Sequence, residues 1–230
     1  MSSTEETMSD PTASVVLAAL RVDYDTAGFD VADLAPTWHE QLTRWLAAAL
    51  DAGLPEPNAM VLATADERGR PASRTVLCKG VDERGVVLYT NLTSAKSHDM
   101  RLTRAASATF PLYAMHRQIH VRGEVEEVAP EESDAYWASR PRGAQIGGWA
   151  SAQSAVVSSR LALEDARVAT ERRFPESEPV PRPPHWGGWR IVPDRVEFWQ
   201  GRRDRLHDRL RFDRDRDRDD RTWRVRRLAP

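Results

Sequence analysis

The stretch Val196-Glu197-Phe198-Trp199-Gln200-Gly201, followed by Arg205-Leu206-His207-Asp208-Arg209, decides how this chain is read. An aromatic-rich strand passes through a glycine into a second extended run, in which Arg205, His207 and Arg209 alternate. Side chains on a strand repeat every two residues, so the alternation predicts that these three project from one face of a sheet. Two guanidinium groups beside an imidazole form a local field suited to a planar anion. Like charges disfavour another cation, so the arginines are expected to hold His207 neutral. The competing reading of a lone histidine is a satisfied structural hydrogen bond.

Strand and turn signals extend in both directions from this hairpin. Ala59 to Ala65 is apolar, Asp66-Glu67-Arg68-Gly69 is turn chemistry, and Pro71 to Lys79 is extended. Asp82-Glu83-Arg84-Gly85 turns again into Val86 to Thr90, and further strands are predicted at 106–113, 117–128, 188–192, 195–200, 205–212 and 222–228. Thr37 and Glu40 form a capping box that opens a helix over 37–52, with Leu42, Trp45, Leu46, Ala49 and Leu50 on one stripe and Gly53 closing it. Other helices are predicted from Ser94 (as cap) to Leu102, from Pro130 to Ser139, from Ser159 to Arg173, and as a short one within Val15 to Tyr24. Residues 1–13 read as a disordered leader, 14–230 as one domain, 175–184 as a proline-rich connector, and 211–221 as a solvated charged hairpin loop. The expected class is mainly β (α+β), an antiparallel barrel with peripheral helices.

Composition narrows the function. A net charge of -2 hides 33 basic and 35 acidic residues, so nothing global favours nucleic acid or an anionic membrane, and any anion site must be a local cluster. No apolar run approaches a membrane span, and the acidic, polar start shows no signal peptide. The single cysteine, Cys78, excludes an intrachain disulfide framework and a Cys-based zinc site; it favours the cytoplasm and reads as buried packing. No metal site, dinucleotide fingerprint, phosphate-binding P-loop or serine-hydrolase elbow is present.

Four further groups carry candidate chemistry. Arg74 and Lys79 lie at opposite parity on one extended run, so a regular strand would send them to opposite faces, as contacts for two anions or as plain edge charges. Tyr89, Thr90, Ser94 and Lys96 stand where a strand enters a helix, either a phosphate cradle or a structural cap. Tyr136 and Arg140 are four apart, on one helical face, and suit a phosphate ester or simple packing of the tyrosine on the arginine stem. Gly147 to Ser154 reads as a tight loop in which Gln153 and Ser154 supply donors.

These motifs, together with the ending Arg227-Leu228-Ala229-Pro230, resemble in order and over nearly the whole chain the pyridoxamine 5'-phosphate oxidase family. The resemblance implies an FMN-binding split β-barrel, with the flavin at the interface of a homodimer. It implies FMN contacts at Arg74, Thr75, Val76, Leu77 and Lys96, and beside the ring at Tyr89, Thr90, Gln118, Gln153, Ser154, Trp199 and Arg209. Lys79, Tyr136 and Arg140 match the substrate-phosphate contacts, Arg205 and His207 the groups over the substrate ring, and Arg21 and Tyr24 a segment that closes over the site. Two departures are Ala95, where many relatives carry arginine, and Ala144, where many carry a substrate-phosphate serine. Losing that hydroxyl is worth about 0.5–1.5 kcal/mol. The implied reaction oxidises pyridoxamine 5'-phosphate or pyridoxine 5'-phosphate by hydride transfer from C4' to the flavin, with O2 as final acceptor and H2O2 as product. Rival readings are a split-barrel reductase using a deazaflavin or another substrate, and a non-catalytic flavin or pyridoxal-phosphate binding protein.

Overall fold

Strict alternation of buried and half-buried residues along Ala59–Ala65 (β1) makes it a sheet strand with one face in the core. The computed structural model describes residues 17, 19, 20, 22–215 and 222–230. β1 pairs with Pro71–Leu77 (β2) through the predicted turn, where the Asp66 carboxylate accepts from the backbone N–H groups of Arg68 and Arg70. Gly80–Asp82 (β3) and Gly85–Asn91 (β4) form a second hairpin; Ala105–Leu112 (β5) and Arg117–Glu127 (β6) form a third. Trp186–Gln200 (β7), Asp208–Arg214 (β8) and Trp223–Arg227 (β9) complete a nine-stranded antiparallel sheet that curls into a half-barrel. Among the described residues the α-helices that flank the sheet are Trp38–Asp51 (α1), Ala95–Thr103 (α2), Pro130–Ala138 (α3), Arg142–Ala150 (α4) and Arg160–Arg173 (α5).

The core lies inside the curl. Met60, Leu62, Leu88, Phe110, Ile119, Ile191, Phe198 and Leu210 are wholly buried, and α1 plugs one side with Trp38, Leu42, Trp45 and Ala49. Trp45 meets Phe198 edge-on at 5.3 Å. The helix starts as the capping box requires: Thr37 Oγ1 accepts from the Glu40 N–H, and Glu40 returns a carboxylate to the Thr37 N–H. Cys78 is buried in the same core, which pushes its thiol up to about 11 and leaves it a packing residue.

Several expectations are corrected. The two strands predicted at 188–192 and 195–200 are one strand, β7, because Pro193 sits where the pairing with β6 shifts register between Arg122 and Gly123. A proline is tolerated at such a bulge because no ladder donor is needed there. One edge of β7 pairs with β6; the other is shared between β4, opposite 186–191, and β8, opposite 195–200, and this sharing splits the barrel. β8 begins only at Asp208; Arg203–Arg205 form a 3-10 turn in which Asp204 and Arg205 have φ of 55° and 60°. Arg205, His207 and Arg209 therefore do not alternate along one strand. The charged loop expected at 211–221 is strand as far as Arg214, and 216–221 lie outside the described residues. The tight loop expected at 147–154 is helical as far as Ala150, and Gly148 is where the Trp137 ring lies against α4: a Cβ there would sit 2.8 Å from it. That contact belongs to a second core of Trp137, Ile146, Phe174, Val180 and Trp186. The leader, 1–13, lies outside the described residues, as do 15, 16, 18 and 21 of the predicted helix at 15–24; Leu17 and Ala19 are helical, and residues 22–24 are not.

Candidate functional site: a cationic cavity and a separate arginine–histidine cluster

β2, β4, the start of α2 and the end of α3 surround a cavity of about 450 Å³, lined by Arg74, Thr75, Val76, Leu77, Lys79, Tyr89, Thr90, Ala95, Lys96, Tyr136, Arg140, Gln153 and Ser154. Four of these side chains are cations and none is acidic. The size is that of a small-molecule site. Arg74 and Lys79 line the same cavity; the strand ends at Leu77, so the parity that predicted opposite faces does not reach Lys79. Tyr136 and Arg140 also meet there, although α3 ends at Ala138 and they do not share a helical face.

Lys96 is the most confined cation. Its Nζ is buried and donates to Thr90 Oγ1 at 3.0 Å, Ser94 Oγ at 3.1 Å and Gln153 Oε1 at 2.7 Å, all neutral acceptors. Burial, and then the charge of Arg74, lower its pKa to about 8. Ser94 occupies the N-cap position of α2 but does not cap it with its side chain; its hydroxyl donates to the Asn91 carbonyl. Ser154 Oγ instead accepts from the Ala95 N–H, held by a backbone with φ of 75°. Strain of this kind persists where the surroundings over-determine it.

Behind the cavity runs a buried relay. Arg74 Nη1 donates to Thr64 Oγ1 at 2.8 Å, and Thr64 Oγ1 donates to Asp99 Oδ2 at 2.7 Å. Burial lowers the pKa of Arg74 and the Asp99 carboxylate opposes that shift. At the other wall Tyr136 stacks on Tyr89 at 4.1 Å, Tyr89 lies 5.5 Å from Trp186 in parallel, and the Arg140 guanidinium sits 4.8 Å over Trp186. Arg140 Nη2 donates to the Ala144 carbonyl; the Ala144 side chain does not line the cavity.

The remaining candidates form a separate group. Gln118, Trp199 and Arg209 face one another across β6, β7 and β8 in direct register. Tyr24 packs on His116 at 4.3 Å, and His207 lies 4.6 Å from Trp199 and 5.9 Å from Tyr24. His207 Nδ1 accepts from the Arg202 N–H at 3.1 Å. The pKa of His207 is lowered, by burial first and Arg205 second, so the neutral ring carries its proton on Nε2. Arg205 is exposed on its turn. None of these residues lines the cavity, and Arg21 lies outside the described residues. Arg209 is paired with the Glu197 carboxylate, which the sequence reading missed along with Thr64, Asp99 and Trp186. Only Asp99, three residues from Lys96 on one helix, left a local signal; the others are brought in by register and packing.

Fold and cavity define the class. PhzG from Burkholderia lata 383, solved in complex with tetrahydrophenazine-1-carboxylic acid, is 32% identical and superposes with a TM-score of 0.82 over 91% of this chain and 100% of that one. A pyridoxamine 5'-phosphate oxidase-related, FMN binding protein from Nostoc punctiforme PCC 73102 shares the fold at 20% identity, with a TM-score of 0.66 over 86% of this chain and 99% of that one. The chain is thus a split-barrel protein with a cationic cavity against its sheet. Residues 46–171 match the family described as Pyridoxamine 5'-phosphate oxidase, and 186–230 match the Pyridoxine 5'-phosphate oxidase C-terminal dimerisation region. The Pyridoxine/pyridoxamine 5'-phosphate oxidase of Saccharopolyspora erythraea is 60% identical over 226 residues, covering 98% of this chain and 99% of that protein. The chain belongs to the pyridoxine/pyridoxamine 5'-phosphate oxidase family.

Proposed function

We propose that this protein is an FMN-dependent oxidase of pyridoxamine 5'-phosphate and pyridoxine 5'-phosphate, forming pyridoxal 5'-phosphate with O2 as acceptor and H2O2 as product, and acting in vitamin B6 biosynthesis or salvage in the cytoplasm. The observation that carries the reading is the cavity itself, lined by Arg74, Lys79, Lys96 and Arg140 without one carboxylate. Two phosphate esters, one of the cofactor and one of the substrate, would balance that charge. FMN fits the residues present: the buried Lys96 ammonium donates only to neutral acceptors and stands beside the Arg74 charge, so a phosphate placed there would be held by both cations.

In this reading Arg74 and Lys96 hold the FMN phosphate, with Thr75, Val76 and Leu77 along the ribityl chain. Tyr89, Thr90, Gln153 and Ser154 border the ring. Lys79, Tyr136 and Arg140 grip the substrate phosphate and so fix the carbon to be oxidised, catalysis by proximity. FMN, when bound, supplies a two-electron acceptor that takes hydride from the substrate and is reoxidised by O2. Arg205 orients the substrate ring and stabilises negative charge on it. His207 acts there as an Nε2–H donor rather than a base, because its Nδ1 is already occupied by the Arg202 N–H.

A homodimer completes the site. Trp199, Arg205, His207 and Arg209 all fall in the stretch matching a dimerisation region, and they lie apart from the cavity within one chain. We infer that each cavity is closed by this cluster from the partner, together with Gln118 and the segment carrying Arg21 and Tyr24.

Purified protein should be yellow, release FMN on denaturation, and consume oxygen when given either B6 ester. Arg205→Ala should lower turnover far more than FMN content; equal loss of both overturns the role given to Arg205. The likeness to PhzG supports a second reading, oxidation of a tricyclic carboxylate. Turnover of tetrahydrophenazine-1-carboxylic acid, with the B6 esters inert, would establish it in place of the first.

A further inference from the structure

We propose that Glu197 is the positioning residue that sets the Arg209 guanidinium for the flavin; this rests on reading Arg209 as a flavin contact. Glu197 stands directly opposite Arg211 across β7 and β8, so Arg209 is its diagonal neighbour on the same face. Arg209 nevertheless turns to it: Nε donates to Oε1 at 2.7 Å and Nη2 to Oε2 at 3.1 Å, while Nη1 donates to the Ala229 carbonyl at 2.9 Å. The Glu197 side chain is only 13% exposed, against 30% for Arg209.

A guanidinium has five N–H donors, and three are consumed by these bonds. One remains on each terminal nitrogen, a fork whose direction is set by the carboxylate behind it. The pair is electrically neutral, so what Glu197 contributes is orientation, with the side-chain freedom of Arg209 already spent before any ligand arrives. Trp199, in register with Arg209, supplies the neighbouring surface.

The test is a cycle of FMN dissociation constants, measured by quenching of flavin fluorescence as flavin-stripped protein is titrated. The proteins are the wild type, Glu197→Gln, Arg209→Ala and the double variant, each checked for folding by thermal unfolding. Glu197→Gln should weaken FMN by about tenfold, the scale of a charge-assisted hydrogen bond, and the double variant should bind no more weakly than Arg209→Ala alone. Wild-type affinity in Glu197→Gln with weakened Arg209→Ala overturns this proposal alone, as do losses that multiply in the double variant. Wild-type affinity in Arg209→Ala overturns the flavin role of Arg209, and the present proposal with it. Should Glu197→Gln not fold, Arg209→Lys replaces it: lysine keeps the ion pair without the fork, so undiminished FMN affinity there overturns the proposal.

Discussion

Lys96 shows how one buried ammonium couples ligand, stability and pH. Its pKa of about 8 in the folded protein compares with 10.5 ordinarily. Below about pH 8 both folded and unfolded chains hold the proton, and the full cost of burying the charge is present. Between the two values the unfolded chain holds a proton that the folded one has released, so stability rises with pH across that window. Denaturant unfolding of flavin-free protein on either side of pH 8 should therefore show the wild type improving relative to Lys96→Met as pH increases. FMN affinity should move the opposite way, falling above pH 8 in the wild type and remaining weak and flat in Lys96→Met. Thr64 gives a second residue-scale prediction. Thr64→Val leaves Asp99 and Arg74 without their shared hydroxyl, a buried loss of about 1–3 kcal/mol that Thr64→Ser should restore in the same unfolding measurement. A valine variant as stable as the wild type would remove the relay from the account.

Among the elements, the bulge between β6 and β7 does the most. A Cβ on Gly123 would lie 1.9 Å from the Val192 carbonyl oxygen and 2.7 Å from the Pro193 Cα, both backbone atoms. Gly123→Ala must shift the strand, at a cost on the order of 1–3 kcal/mol or above for overpacking, and thermal unfolding should register it. Because β7 carries Trp199 on one side of the bulge and the cavity-wall indole of Trp186 on the other, the same variant should also weaken FMN binding. The start of α1 is a milder site. Thr37→Ala removes one half of the capping box and should lower stability by about 1 kcal/mol, with no change in ligand binding.

At the scale of the whole molecule, the separation of the cavity from the Arg205–His207–Arg209 cluster is the main fact. If each site joins one protomer's cavity to its partner's cluster, two inactive variants should complement. Mixed dimers of Lys79→Ala/Arg140→Ala with Arg205→Ala/Arg209→Ala contain one intact site of two. Co-refolded in equal amounts, the variants form such dimers half the time, so oxygen uptake should return to about a quarter of the wild-type rate. No recovery would mean that every site is built within a single chain.

Local patterns were enough for the parts that local energies govern. The capping box at Thr37 and Glu40, the turn at Asp66 and the apolar strand at Ala59 to Ala65 all appear where the sequence places them, because caps, turns and short strands are decided within a few residues. The chemistry of the site was legible as residue types in family order. What local spacing misplaced was direction. Lys79 joined Arg74 in one cavity because β2 stops at Leu77, and Arg205 left the strand because the turn before Asp208 takes a positive φ. Thr64 and Glu197 entered through cross-strand register, and Asp99 was given its partner by the packing of α2 on β1, all of which depend on contacts between residues far apart in the chain. The amino-acid sequence alone was enough for most of the elements and for the store of charge. Only the tertiary structure decided which cations share a cavity and which carboxylates stand behind them, because those pairings arise when the curled sheet closes on its core.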